Sequence, residues 1–293
     1  MKIKIFLVFS LLLFAFPVIA KKKVNNIFYA QNTLGGFKNS PQSAEEKAKL
    51  LKSIGYEGLE GFGHQDFFEL KKELDKVGLQ MPVNYIALNF ENNKKTENFS
   101  IDQIKEMIKG SSKGSMIYFH LHSNSYKDDK ETGDNAVAVI LSDLSDFASD
   151  FNVKLSVYPH VSFYCETLGH SAKLAKMVNR KNYGAVLNLC HLLKVEGPDG
   201  IEAKIKEFAP LLFAVNICGA DDGNTRQLGW DRLIQPLGEG SFDTYKFIKL
   251  LIDNGYGGPI GLQCYNLKGD AKETLTKSLQ IWNSYKKRYS QEK

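Results

Sequence analysis

One arrangement recurs eight times along this chain: a short apolar run, a turn, and then a segment with helical periodicity. The runs are NIFYAQN, YEGLEG, MPVNYIAL, MIYFHLHS, KLSVYPH, GAVLNLCH, LFAVNICG and PIGLQCY. Runs this short, bounded by turn residues, read as buried strands. Helical patterns fall between them at 43–53, 66–77, 101–109, 135–150, 171–179, 201–208, 242–253 and 271–285. In the fourth of these, Val137, Ile140, Leu141, Leu144 and Phe147 form one apolar face. Gly55, Gly78 and Gly255 each stand where a helix should stop in a left-handed cap. Strands that alternate with helices must pair in parallel, and eight such units predict a single closed (β/α)8 barrel, a TIM barrel.

The first twenty residues do not fit the repeat. Lys2 and Lys4 precede a mostly apolar stretch over 5–19, and Val18-Ile19-Ala20 supplies a small-residue cleavage site. The expectation is a signal peptide over 1–20 and a barrel over 21–293, exported to a periplasm or secreted. An uncleaved anchor is the alternative. Nothing later is apolar for long enough to cross a membrane. Removing Lys2 and Lys4 takes the formal charge from +5 to +3, interleaved in sign, which argues against a nucleic-acid partner. The runs Lys21-Lys22-Lys23 and Lys286-Lys287-Arg288 read as solvated ends. Cys165, Cys190, Cys218 and Cys264 occur singly, as small buried side chains do, although three follow adjacent strands and an oxidising compartment would permit a disulfide. No feature of the sequence fixes an oligomeric state.

In such a barrel the active face is the C-terminal end of the strands. Gln31, Asn32, Glu60, Asn84, His120, His122, Tyr158, His160, Asn188, His191, Asn216 and Gln263 lie there. Glu60 is the only carboxylate directly ending a strand, and burial would raise its pKa toward that of a general base; the bland alternative is an ion pair under the rim. Asp221 and Lys268 stand just outside the ring. The irregular stretch 219–240, with Trp230 and Arg232, reads as a lid, a recognition loop or plain structure. Amides donate to and accept from hydroxyls, so a set this rich in Asn, Gln and His suits a neutral carbohydrate.

The segments Gly55-Tyr56-Glu57-Gly58-Leu59-Glu60, Tyr158-Pro159-His160, Asn188-Leu189-Cys190-His191 and Pro236 to Asp243 resemble the xylose-isomerase-like sugar phosphate isomerase/epimerase family. The resemblance covers nearly the whole chain after residue 20. It implies a divalent metal held by Glu, Asp, His and Glu on strands five to eight, with the glutamates moving a proton beside a carbonyl. Tyr158, Asn188, Asn216 and Gln263 stand at those four positions here. His160 and His191 match histidines that contact substrate in the family, and Glu60 matches a frequent second-strand acid.

The leading expectation is therefore a sugar isomerase or epimerase-like enzyme, or a keto-sugar lyase, working without the usual metal. Its catalytic candidates are Glu60, His122, His160 and His191. Its candidate substrate contacts are Asn32, Asn84, Tyr158, Asn188, Asn216, Asp221, Gln263 and Lys268. One alternative is a sugar-binding barrel with no catalysis. Another keeps a metal on Glu60, His122, His160 and His191.

Overall fold

A computed structural model describes residues 23–91 and 100–292. The expected signal segment lies outside the described residues. The strands are β1 (Phe28–Ala30), β2 (Gly58–Leu59), β3 (Gly61–Phe62), β4 (Val83–Asn89), β5 (Met116–His122), β6 (Lys154–Val157), β7 (Tyr183–Asn188), β8 (Leu212–Ile217) and β9 (Ile260–Leu262). All pair in parallel, in the order β2-β1-β9-β8-β7-β6-β5-β4-β3. The second strand expected from the sequence is thus two short pieces, one bonded to β1 and the other to β4. Glu60 is the residue between them, so it sits within the second strand rather than ending it.

Among the described residues ten α-helices surround the strands: α1 (Ala44–Ile54), α2 (Phe67–Val77), α3 (Ile101–Gly110), α4 (Lys130–Ser149), α5 (Leu168–Val178), α6 (Leu189–Val195), α7 (Ile201–Phe208), α8 (Trp230–Leu233), α9 (Thr244–Asp253) and α10 (Ala271–Gln291). Local chemistry sets several ends. Ser43 with Glu46, and Ser100 with Gln103, form reciprocal capping boxes at α1 and α3. Gly55 (φ 102°) and Gly78 (φ 69°) end α1 and α2 in the left-handed conformation. Two helices have no counterpart in the sequence reading. The first, α6, begins directly after β7; the second, α8, is a single turn within 219–240.

Strand alternation sorts side chains into two cores. On β5, Ile117, Phe119 and Leu121 join the large core between strands and helices, whereas Met116 and Tyr118 face into the barrel. Tyr29, Val83, Tyr158, Val186 and Ala214 complete this inner core. The interior is full. A Cβ on Gly261 would run into the Tyr29 ring and the Asn216 amide oxygen. At the seam of the fold, Trp282 of α10 stacks on Phe28 of β1, with centroids 4.7 Å apart and planes 11° from parallel. All four cysteines are buried and free, as small apolar residues would be.

Candidate active site

Alternation also aims the strand-end residues. Tyr158, Asn188, Asn216 and Gln263 share parity with the inward residues of β6 to β9, so all four point toward the barrel axis. Two of them do not line the open space at the barrel mouth. Asn188 is 1% exposed and caps α6: its Oδ1 accepts from the His191 N–H (3.4 Å) and faces Cys190 Sγ (3.0 Å), while its Nδ2 donates to the Tyr158 hydroxyl. Asn216 is fully buried, and its Oδ1 accepts from the Tyr29 hydroxyl at 3.0 Å. Its Nδ2 has no partner among the described residues. Tyr158 and Gln263 do border open space.

That space is a cavity of about 470 Å³ at the strand C-termini, a volume typical of small-molecule sites. Glu60, Gln31, Thr33 and Gln263 form one wall; Tyr158, His160 and His191 form another. Aromatic rings complete it: Phe62, Tyr85, Phe163, Trp230 and Tyr265, of which Phe62 and Tyr265 are about half exposed. Trp230, on α8, meets the His191 ring edge-on at 5.4 Å. The 219–240 stretch thus contributes Trp230 and Ile234 to the cavity.

Glu60 is 1% exposed and has only neutral partners, not the ion pair weighed from sequence. The Tyr118 hydroxyl and Gln31 Nε2 (3.2 Å) donate to Oε1, and the Asn32 backbone N–H (3.2 Å) donates to Oε2. Burial raises its pKa to about 7, against the opposing pull of these hydrogen bonds. A carboxyl group poised there takes and returns protons efficiently near neutrality.

The two histidines are complementary. Burial lowers both pKa values, that of His191 well below the ordinary value, so both rings are neutral near pH 7. His160 Nδ1 lies 2.7 Å from the Val161 carbonyl and must donate to it, which leaves Nε2 as an acceptor. His191 Nδ1 faces the Val161 N–H at 3.5 Å, a long contact that assigns the ring proton to Nε2. The rings lie 4.0 Å apart, one presenting a lone pair and the other an N–H. His191 belongs to the first turn of α6 and not to a strand tip, and that turn swings it inward.

Other expected site residues lie elsewhere. Asn84 shares parity with Ile86 and Leu88 and so faces the helices, its Nδ2 against Met107 Sδ at 3.3 Å. Asn32 reaches Glu60 through its backbone only. Asp221 pairs with Arg232 and accepts from the Ser241 N–H at 3.1 Å, while Lys268 donates to Asn266. His122 borders a neighbouring cavity, its Nε2 2.7 Å from His120 Nδ1. Among the described residues no three His, Cys, Asp or Glu side chains gather as metal ligands. Tyr85, Tyr118, Phe163 and Trp230 are site residues that a search for titratable strand ends passes over.

No curated protein matches the chain. Its fold is similar to that of the IolI protein, solved with a bound zinc atom (19% identical; TM-score 0.71; 89% of this chain and 98% of that one). It is also similar to 3-keto-D-glucoside 4-epimerase from E. coli (16%; 0.65; 88% and 99%) and to D-psicose 3-epimerase from Clostridium cellulolyticum H10 (14%; 0.62; 90% and 95%). The pattern that defines the xylose isomerase-like TIM barrel matches residues 48–285, and the chain belongs to that family.

Proposed function

We propose that the protein is an exported enzyme that moves a proton beside the carbonyl of a sugar or keto-sugar, with Glu60 as the base and no resident metal. The observation that carries this reading is Glu60 itself: a buried carboxyl with a pKa of about 7 in the wall of an aromatic cavity large enough for a sugar ring. Aromatic faces and amide edges together suit a pyranose, which has apolar C–H faces and polar rims. Glu60 takes the proton from the carbon next to the carbonyl, and the C–H electron pair moves into the enolate. The His191 Nε2–H is the donor available to the oxygen where negative charge develops. His160 Nε2 accepts from a neighbouring sugar hydroxyl. Returning the proton to the other face, to the adjacent carbon, or expelling a β-substituent gives epimerisation, isomerisation or elimination.

The donor set at the family's metal positions does not fit a divalent cation. Divalent cations in such sites are held chiefly by carboxylates and imidazoles, and here a phenol and three neutral amides stand instead. Two of those amides are already spent on Tyr158 and Tyr29. Protein purified without chelator is expected to hold well under one divalent ion per chain, with no Tm shift on adding Mn²⁺, Mg²⁺ or Zn²⁺. A stoichiometric ion would contradict this.

The test of function is incubation with a 3-keto-glucoside in excess chelator, followed by product analysis. Conversion supports the reading; saturable binding without conversion favours a binding barrel. Conversion abolished by chelator and restored by metal overturns the metal-free claim. N-terminal sequencing of secreted material is expected to begin at Lys21. Among the described residues no helix is long and apolar enough to cross a membrane.

A further inference from the structure

A second cavity of about 520 Å³ adjoins the first, and the two share Ser162 and Phe163 in their walls. We infer that it is a subsite for a second sugar ring, so that the substrate is a glycoside or disaccharide whose carbonyl-bearing ring lies by Glu60. The inference rests on the chemistry proposed at Glu60 and adds the substrate class.

The dividing wall is fixed. Phe163 stacks on His160 (4.0 Å between centroids), touches His122 (4.2 Å) and lies beside His120 (5.3 Å). Ser162 before it holds a left-handed backbone (φ 66°), unusual for a residue with a side chain, and its N–H is bonded to Glu166. Such a conformation persists only where its surroundings enforce it. An aromatic wall that lines both cavities can border a sugar ring on either side.

The rest of the second cavity is also preformed. Glu91 accepts from the backbone N–H groups of Asn124 and Ser125, both at 2.7 Å, and so pins that loop. Tyr164 is held from behind: its hydroxyl donates to the buried Asp134 carboxylate at 2.9 Å, and its carbonyl accepts from Lys130 Nζ at 2.8 Å. His170 and Lys173 hold the same Asp134, at 2.7 and 2.8 Å. Beside these held groups, the exposed side chains of Asn124, Lys127 and Asp128 line the cavity and have no hydrogen-bond partner among the described residues. An amide, a cation and a carboxylate lining one cavity match the mixed donors and acceptors of a sugar rim. A hydrocarbon chain would satisfy none of them. His122, expected at the catalytic centre, falls on this side of Phe163.

The experiment compares 3-keto-glucose with 3-keto-cellobiose as substrates for the wild type and for N124A/K127A. The wild type is expected to prefer the two-ring sugar by about tenfold or more in kcat/KM, as two or three added hydrogen bonds would give. In N124A/K127A that ratio is expected to fall close to one. A wild type that converts both sugars equally, or a variant that keeps the full preference, overturns the subsite. Titration calorimetry with cellobiose and glucose separates the two readings if neither keto-sugar is converted. Tighter binding of cellobiose that the variant loses keeps the subsite and rejects catalysis; no difference between the two sugars rejects both.

Discussion

Glu60→Gln is expected to lower kcat on a keto-sugar by about 10²- to 10⁴-fold, the usual contribution of a positioned general base. Substrate affinity should change far less, because the amide keeps the shape of the carboxylate and can still accept from Tyr118 and Gln31. The same substitution should change how stability varies with pH. Glu60 has a pKa of about 7 when folded, against 4.5 as its ordinary value, and desolvation is the main cause. A raised pKa means that the folded state binds the proton more tightly than the unfolded state. The contribution is fully favourable below about pH 4.5 and is lost as the pH rises through about 7. Glutamine has no proton to lose. The stability of the variant relative to the wild type should therefore improve by about 3 kcal/mol between pH 4 and pH 8. Denaturant unfolding at both pH values measures this. A constant difference would mean that the Glu60 carboxyl is not held in a desolvated state.

Asn188→Ala should produce the largest loss of stability among the amide positions, about 2–4 kcal/mol. Its side chain caps α6 and meets Tyr158, Cys190 and His191 while 1% exposed. Removing a cap costs about 1 kcal/mol, and a buried hydroxyl and N–H left without partners cost about 1–3 kcal/mol more. Because α6 carries His191, the variant should also lose activity through misplacement of that ring. Gln263→Ala offers the contrast. Gln263 borders the cavity and, among the described residues, accepts only from Thr33 (3.2 Å) and the Tyr265 N–H (3.0 Å), so its loss should raise KM with little change in Tm. Paired Tm and KM values decide the matter. An Asn188→Ala protein with normal stability and no sugar binding would make Asn188 a ligand contact instead.

The barrel was legible because strand and helix periodicities differ and the chain alternates them throughout. The inward aim of Tyr158, Asn188, Asn216 and Gln263 followed from the same period of two. Parity was also where the reading fell short. In MPVNYIAL it is Tyr85 and not Asn84 that faces the cavity, since Asn84 shares its side of the strand with Ile86 and Leu88. On β5 the histidines drew attention, yet Tyr118, two residues earlier on the same side, bonds Glu60. Position along the chain gives no warning that an inward amide will be consumed by a tyrosine from another strand, as Asn188 is by Tyr158 and Asn216 by Tyr29. Nor did hydrophobic periodicity reveal α6, which follows β7 without a turn and carries His191, or the single turn of α8 that brings Trp230 to the cavity.

The most direct test of the account is hydrogen exchange at the carbon beside the carbonyl. A 3-keto-glucoside would be incubated with enzyme in D₂O with excess chelator and followed by NMR, with Glu60→Gln alongside. The account predicts deuterium incorporation at one position next to the carbonyl with the wild type, rising with pH through about 7 as Glu60 ionises, and background exchange with the variant. Equal exchange by both proteins, or exchange that appears only when a divalent metal is supplied, would contradict it.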